Sequence, residues 1–164
     1  MNPISGTRRK QVIIDYINKV LGFHPDWEPV FYKTKCVGDA CVAAKDFASG
    51  GFDVVVAIGG DGTVNEVAEG LINTSTKLAI IPIGSGNGLA RHLNIPLNYQ
   101  RAVDTIFNGN GKFIDAGVIN GKVFFCTALA ASADNPLLVT GNAKHYPPAD
   151  FVVSPAEFCD ILGI

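Results

Sequence analysis

The chain has 164 residues, of which 48% are hydrophobic and 17% are charged, a composition typical of a globular protein and not of a disordered one. Its formal net charge of -2 argues against the broad basic surface that nucleic-acid binding requires, so we expect no nucleic-acid partner. We find neither a signal peptide nor an apolar run of the roughly 20 residues needed to cross a bilayer. We therefore expect a cytoplasmic protein without a transmembrane segment, whose contact with the inner membrane face is peripheral; the sequence does not indicate the oligomeric state.

The first predicted element is a helix over Arg8–Leu21, where apolar residues recur at helical spacing and Gly22 follows the last turn. It opens with a tight basic cluster, Arg8-Arg9-Lys10. Two interpretations of this cluster stay open: a solvated face of the helix, or a contact to a phosphate or to an anionic membrane surface. Further along, Glu28–Tyr32 predicts a short strand, and Gly38–Ser49 predicts an alanine-rich helix.

Two strands buried on both faces are predicted next. Asp53–Ile58 is a continuous β-branched run and Lys77–Pro82 is a second apolar run, and unbroken apolar runs are typical of strands covered on both sides. Helical patterns occupy three segments around them: Val64–Ile72, Leu89–Leu93 and Tyr99–Phe107. The alternation predicts an α/β domain over residues 1–110, with a parallel sheet and helices on both faces.

The pattern changes near residue 111. Lys112–Val118 and Lys122–Thr127 are extended runs joined at Asn120-Gly121, a two-residue turn that favours a β-hairpin. Residues 111–164 are therefore predicted to form antiparallel structure in a second domain.

Three polar glycine loops precede predicted helices: Asn2–Gly6, Gly59–Thr63 and Gly84–Gly88. Glycine lets the backbone approach a phosphate closely, and the helix that follows offers free N–H groups and the positive end of its dipole. Loops at the carboxyl ends of parallel strands line one crevice. The spacing is neither that of the P-loop nor that of the Rossmann motif. Together the loops predict a nucleotide-phosphate site, in which Thr63 caps its helix or bonds a phosphate oxygen.

Asp61 is the unusual member of these loops, because a carboxylate repels a phosphate unless a metal, a proton or hydrogen-bond donors compensate. We expect it to bind Mg²⁺, directly or through water, or to accept a proton from an attacking hydroxyl. The alternative is a structural role, in which its side chain bonds the backbone of its own turn.

Three motifs together resemble the catalytic domain of the diacylglycerol kinase family, which includes bacterial lipid kinases and the sphingosine and ceramide kinases. They are Asn2-Pro3-x-Ser5-Gly6, Gly59-Gly60-Asp61-Gly62-Thr63-Val64-Asn65-Glu66-Val67 and Pro82-x-Gly84-Ser85-Gly86-Asn87-Gly88-Leu89-Ala90-Arg91. The resemblance implies an α/β domain with the fold of NAD kinases and 6-phosphofructokinases, which binds ATP, followed by a β-sandwich that holds the lipid. It implies transfer of the γ-phosphoryl group of ATP, with Mg²⁺, to diacylglycerol or a related lipid at a membrane surface. An NAD kinase-like enzyme and a nucleotide-binding module without turnover stay open as alternatives.

The same resemblance implies the residues of the site. The catalytic residue would be Asp61, and Asp160 would be a metal ligand. The implied nucleotide-binding residues are Asn2, Pro3, Ser5, Gly6, Thr34, Gly59, Gly60, Asp61, Gly62, Thr63, Val64, Asn65, Gly84, Ser85, Gly86 and Asn87. Residues 111–164 would hold the start and remnants of the lipid-binding β-sandwich, which we expect to be incomplete.

Overall fold

The computed structural model describes residues 7–109, 111–114, 116–119, 122–125, 127–131, 136–140 and 152–153. The chain divides into two compact units, Met1–Lys112 and Phe113–Ile164. The described part of the first unit contains helices and two strands, and a helix connects the two strands, as the sequence predicts. Its elements are α1 (Thr7–Leu21), α2 (Asp39–Ser49), β1 (Val54–Gly59), α3 (Asp61–Leu71), β2 (Lys77–Pro82), α4 (Gly88–His92) and α5 (Tyr99–Asn108).

One face of the small sheet packs against α1 and α5. β1 and β2 pair in parallel along their whole length, with Ile58 beside Ile81. These two side chains form a core cluster with Ile13 of α1 and Val103 of α5. The parallel sheet that the unbroken apolar runs predict is confirmed.

The opposite face of the sheet packs against α3. Ala57 and Ile80 are buried, and they point away from the first cluster because side chains alternate along a strand. α3 packs against both strands and α2 packs against α3. A Cβ atom at Gly70 would lie 2.5 Å from the carbonyl oxygen of Cys41 and 2.7 Å from the Cβ of Ala44. Gly70 therefore lets α2 and α3 approach closely, and both faces of the sheet are covered.

The direction of α1 and α5 fixes which end of each helix lies near the glycine loops. Phe107, in the last turn of α5, stacks on His24, which follows α1, with 4.3 Å between ring centroids. Shortly after α5, Gly111 lies beside the side chain of Lys77, the first residue of β2. Both helices therefore end near the amino edge of the sheet, where the strands begin, and start near the carboxyl edge, where the strands end.

The predicted strand at Glu28–Tyr32 is wrong, since the structure assigns no strand to residues 28–34. A cavity of about 190 Å³ is lined both by this segment and by β1. A strand needs a neighbouring backbone to satisfy its N–H and C=O groups. Among the described strands β1 pairs with β2 alone, so the segment pairs with none of them as a strand despite its suitable composition.

The regular elements described in the second unit are all strands. Their bounds are β3 (Gly117–Ile119), β4 (Lys122–Phe124), β5 (Thr127–Ala131), β6 (Pro136–Thr140) and β7 (Val152–Val153). β3 and β4 pair antiparallel with Ile119 opposite Lys122, which confirms the pairing expected of the hairpin; its turn, Asn120-Gly121, lies outside the described residues. β5 and β6 are antiparallel, and β6 and β7 are parallel. The β-sandwich stays a prediction, and no helix in the described part of the chain could span a bilayer.

Candidate functional site

The first turn of α3 contains residues that the sequence assigned to a loop. The helix begins at Asp61 and not at Val64, and its N-cap is the extended Gly60, with no side-chain cap. The capping role expected of Thr63 is therefore wrong, because Thr63 already lies in the helix. Asp61 suits the first position because the helix dipole stabilises a carboxylate there. The N–H groups of Asp61, Gly62 and Thr63 have no acceptor within the helix, so they can donate to a phosphate.

The loop Gly84–Gly88 lies directly against the start of α3. A Cβ on Gly84 would be 2.5 Å from the Cα of Gly60, and a Cβ on Gly60 would be 3.1 Å from the Cα of Gly84. Main-chain pairing continues just beyond the strands, since the N–H of Ile83 donates to the carbonyl oxygen of Gly59 at 3.0 Å. Glycine is required at position 84, because any side chain there would collide with the backbone of Gly60, and a side chain at position 60 would be tightly packed against Gly84.

The carboxylate of Asp61 links the two loops. Its Oδ1 accepts a hydrogen bond from the N–H of Gly88 at 2.6 Å, across 27 residues of sequence. Its Oδ2 lies close to Gly86, where a Cβ would be 2.6 Å away. The bond goes to the second loop and not to the turn that contains Asp61. The side chain stays exposed, and a carboxylate with one N–H partner retains lone pairs for a metal, a water or a hydroxyl proton.

Asn87 closes the second loop. It is only 7% exposed and adopts the left-handed conformation, with φ 54°. Its Oδ1 accepts from the N–H of Gly84 at 2.9 Å, and its Nδ2 donates to the carbonyl oxygen of Gly84 at 2.7 Å. Arg91 adds a bond from Nε to the carbonyl oxygen of Gly86 at 2.8 Å. Asn87 therefore shapes the loop, and its contact with nucleotide stays a prediction.

We expect Asn87→Gly to lower the free energy of unfolding by about 1–3 kcal/mol, because a main-chain donor and acceptor lose their partners. Asn87→Ala should cost roughly 1 kcal/mol more, because alanine resists positive φ. Urea unfolding of the two variants measures both effects. Asn94→Gly is the matched control: Asn94 also has positive φ (57°) but is exposed. Equal stability of the Asn87→Gly and Asn94→Gly variants would contradict the role of the two bonds.

Thr34 is brought near α3 by the segment before α2. It is 7% exposed and lines the same cavity as Thr63. Beside it, the Oδ2 of Asp39 accepts from the N–H of Lys35 at 2.6 Å, and its Oδ1 accepts from the hydroxyl of Tyr32 at 3.0 Å. The bond from Tyr32 to Asp39, together with burial, raises the pKa of that tyrosine. Asp39 thus holds the backbone of Lys35 after Thr34 and the side chain of Tyr32 before it.

Glu66 connects the start of α2 to α3. The N-cap of α2 is Gly38, in the left-handed conformation (φ 85°), and no side chain of α2's own N-terminus caps the helix. Instead the Oε2 of Glu66 accepts from the N–H of Ala40 at 3.3 Å. Since α3 also presents Asp61, this bond holds the Thr34 segment and the loop Gly59–Thr63 in one arrangement.

The predicted site residues fall into three groups. The structure brings together the two loops around α3 and places Thr34 in a shared cavity. Val64 is buried, so only its backbone could meet a ligand, whereas Asn65 and Ser85 are exposed. The residues that lie outside the described part of the chain are Asn2, Pro3, Ser5, Gly6 and Asp160.

Of the candidate metal ligands that the sequence predicts, Asp61 is the one within the described residues. Within those residues no group of three or more His, Cys, Asp or Glu side chains is arranged to hold a metal ion. Mg²⁺ is usually bound through one or two carboxylates together with substrate phosphates. A single exposed carboxylate beside free helix N–H groups therefore fits Mg²⁺ that arrives with a nucleotide.

Lys10 lies near the carboxyl edge, and its burial was not predicted from the sequence. It is only 5% exposed, so the solvated-face interpretation is wrong for Lys10; the side chains of Arg8 and Arg9 lie outside the described ones. Burial lowers the pKa of Lys10, and the positive charge of Lys33 lowers it further. The signal was present in the spacing, because Lys10 precedes the core residue Ile13 by three positions and so shares its helical face.

Comparison with known proteins gives a consistent set of matches. The sequence model of the diacylglycerol kinase catalytic domain matches residues 1–119. A diacylglycerol kinase of Bacillus subtilis (strain 168) is 39% identical over 128 residues, which cover 75% of this chain and 41% of that protein. A diacylglycerol kinase of Staphylococcus aureus (strain MRSA252) is 35% identical over 126 residues, covering 75% of this chain and 39% of that one. The chain thus spans about two-fifths of the length of these curated relatives.

A solved structure shows the same fold. The crystal structure of a diacylglycerol kinase from Bacillus anthracis str. Sterne matches with a TM-score of 0.68 and 32% sequence identity, covering 77% of this chain and 44% of that chain. The match supports the α/β arrangement of helices around a parallel sheet.

Proposed function

Because the chain belongs to the diacylglycerol kinase catalytic domain family, we propose that it contains the nucleotide-binding site of an ATP-dependent lipid kinase. The reaction would transfer the γ-phosphoryl group of ATP to the hydroxyl of diacylglycerol or a related lipid. The observation that supports this most is the apposition of the first turn of α3 and the loop Gly84–Gly88, joined by the bond from Gly88 to Asp61. This arrangement offers phosphate donors and a carboxylate at one edge of the sheet.

The backbone of α3 would bind the phosphates. The free N–H groups of Asp61, Gly62 and Thr63 point out of the helix N-terminus, where the dipole is positive. Donors fixed before the reaction stabilise developing charge without reorganisation. Mg²⁺, when bound with the nucleotide, would neutralise charge on the transferred group. Phosphoryl transfer needs mainly positioning and charge stabilisation, which two loops joined by hydrogen bonds would supply.

Asp61 would act beside the phosphates, as a Mg²⁺ ligand or as the acceptor of the lipid hydroxyl's proton. Gly88 holds one of its oxygens at 2.6 Å, so the carboxylate has a fixed orientation. Further nucleotide contacts are proposed for Thr34, Ser85 and the loop Asn2–Gly6. Asp160 is proposed as a second metal ligand.

We propose separate roles for the two parts of the chain. Residues 1–110 would bind ATP, and residues 111–164 would begin a lipid-binding β-sandwich. We further propose that the protein is cytoplasmic and contacts the inner membrane face peripherally during turnover, because its lipid substrate would lie in a bilayer.

A transfer assay tests the proposal. The chain is incubated with Mg²⁺ and ATP labelled at the γ-phosphate, with diacylglycerol, ceramide or sphingosine in mixed micelles, or with NAD in solution. We expect label in the lipid extract with diacylglycerol, and none with the Asp61→Ala variant. Label on NAD and on no lipid would favour an NAD kinase. Calorimetric binding of Mg·ATP without any labelled product would favour a nucleotide-binding module without turnover.

A further inference from the structure

The amine of Lys10 has no hydrogen-bond partner among the residues that the structure describes. Among the described residues, its Nζ is the one buried side-chain nitrogen or oxygen without a hydrogen bond. Burying an ammonium group without a counter-charge is so unfavourable that such groups usually pair with an anion or lose their proton. The Lys10 amine is therefore an unsatisfied buried hydrogen-bond donor.

A second lysine, Lys33, makes burial of the positive charge of Lys10 still less favourable. The positive charge of Lys33 adds to burial in lowering the pKa of Lys10. Lys33 is exposed and directly precedes the buried Thr34. Two neighbouring cations with no described carboxylate bonded to either of them create a local positive potential, which an anion would neutralise.

The two lysines lie at the carboxyl edge of the sheet. Ile13, one helical turn after Lys10, packs against Ile58 and Ile81 close to the ends of β1 and β2. Lys10 therefore lies in the first turn of α1 on its core-facing side, where the dipole of this 15-residue helix is positive. Lys33 lies close enough to Lys10 for its charge to act on that amine, in the segment that leads to α2, whose Ala40 N–H bonds Glu66 of α3.

We propose that Lys10 and Lys33 bind a phosphate group at the carboxyl edge, beside the first turn of α1. A phosphate carries the charge and the acceptor oxygens that two ammonium groups and a helix N-terminus lack. The polyphosphate of a nucleotide is one source, and this part of the inference rests on the proposed function. Free inorganic phosphate has the same charged oxygens and is the other candidate ligand.

Calorimetry of charge-removing variants tests the site. The full chain and its Lys10→Met, Lys33→Met and Lys19→Met variants are titrated with ATP, AMP and inorganic phosphate, and the Tm of each is measured without ligand. We expect Lys10→Met to weaken ATP binding about tenfold to a hundredfold, the loss of one charge-assisted hydrogen bond. The same variant should melt several degrees higher without ligand, because an unpaired buried charge is gone. Lys19, exposed on α1, is the matched control, and its variant should change neither quantity.

The ligand series separates the two sources. A greater loss of affinity for ATP than for AMP supports the polyphosphate of a nucleotide, and a loss for inorganic phosphate alone supports a free ion. Wild-type affinity of both Lys10→Met and Lys33→Met for all three ligands would overturn the proposal. Lys33 is exposed, so its variant decides the matter if Lys10→Met does not fold. A protein that needs Lys10 to bind phosphate but labels no lipid would refute the lipid kinase and leave this site intact.

Discussion

Asp61→Asn should reduce transfer of the γ-phosphoryl group by about a hundredfold or more, the usual range for loss of a group that moves a proton or binds the metal. The asparagine Oδ1 can still accept from Gly88, whose N–H lies 2.6 Å from the aspartate oxygen, so the loops should keep their arrangement. The substitution therefore removes the negative charge of Asp61 and keeps the hydrogen bond. Initial rates of lipid phosphorylation, together with circular dichroism spectra, separate chemistry from folding.

Glu69→Gln provides the control for Asp61→Asn. Glu69 is exposed on the same helix, so its variant removes one negative charge from α3 at a distance from the loops. Its rate should match that of the wild-type chain. If Asp61→Asn phosphorylates lipid at a rate close to the wild type, Asp61 has a structural role only, as the link between the loops.

Gly84→Ala should force the two loops apart. Its Cβ would lie 2.5 Å from the Cα of Gly60, and backbone cannot move aside as a flexible side chain can. We expect a loss of about 1–3 kcal/mol in the free energy of unfolding, the usual cost of overpacking. We also expect at least about tenfold weaker binding of Mg·ATP, since small displacements of positioning groups are costly. Urea unfolding and calorimetry measure the two effects.

Gly62→Ala is the control for steric crowding. A Cβ on Gly62 would meet nothing within 4 Å, and alanine favours a helix over glycine by about 1 kcal/mol. This variant should be as stable as the wild-type chain or slightly more stable. If Gly84→Ala and Gly62→Ala unfold at the same urea concentration as the wild type, the close approach of the loops has no energetic importance.

The parallel sheet was predictable because its determinants are local. Val54–Gly59 and Lys77–Pro82 carry unbroken apolar runs, and these runs indicate burial on both faces without knowledge of the partners. The segment at Glu28–Tyr32 has a similar composition but forms no strand. Strand formation depends on a neighbouring backbone, which its sequence cannot reveal.

The apposition of the two glycine loops could be predicted from the sequence, but their internal contacts could not. Their order and glycine content indicated phosphate binding. The start of α3 at Asp61 was missed because Asp-Gly-Thr is also typical of a turn. The bond between Asp61 and Gly88 joins residues 27 positions apart, and the contact of Gly60 with Gly84 depends on the pairing of two strands. Such contacts follow from tertiary structure and leave no local pattern.

The exposure of Lys10 was predicted wrongly for a different reason. Its charge suggested a surface position within a basic run, whereas its spacing from Ile13 and Ile17 put it on the buried face of α1. The spacing was the better guide, because a helix presents each residue to the core or to solvent according to its angular position. Burial of an unpaired ammonium group is unfavourable, and for this reason Lys10 points to an anionic ligand.

The binding of nucleotide at the carboxyl edge can be tested residue by residue by following the backbone amide resonances of the full chain during titration with Mg·ATP. We predict that the largest shifts occur at Asp61–Thr63 and at Gly84–Gly88, because their N–H groups surround the proposed phosphates. The amides of Phe52 and Thr76, whose residues are joined by a hydrogen bond at the amino edge, should not shift. Saturable shifts confined to the amino edge, or no shifts at millimolar Mg·ATP, would contradict a nucleotide site formed by the two glycine loops.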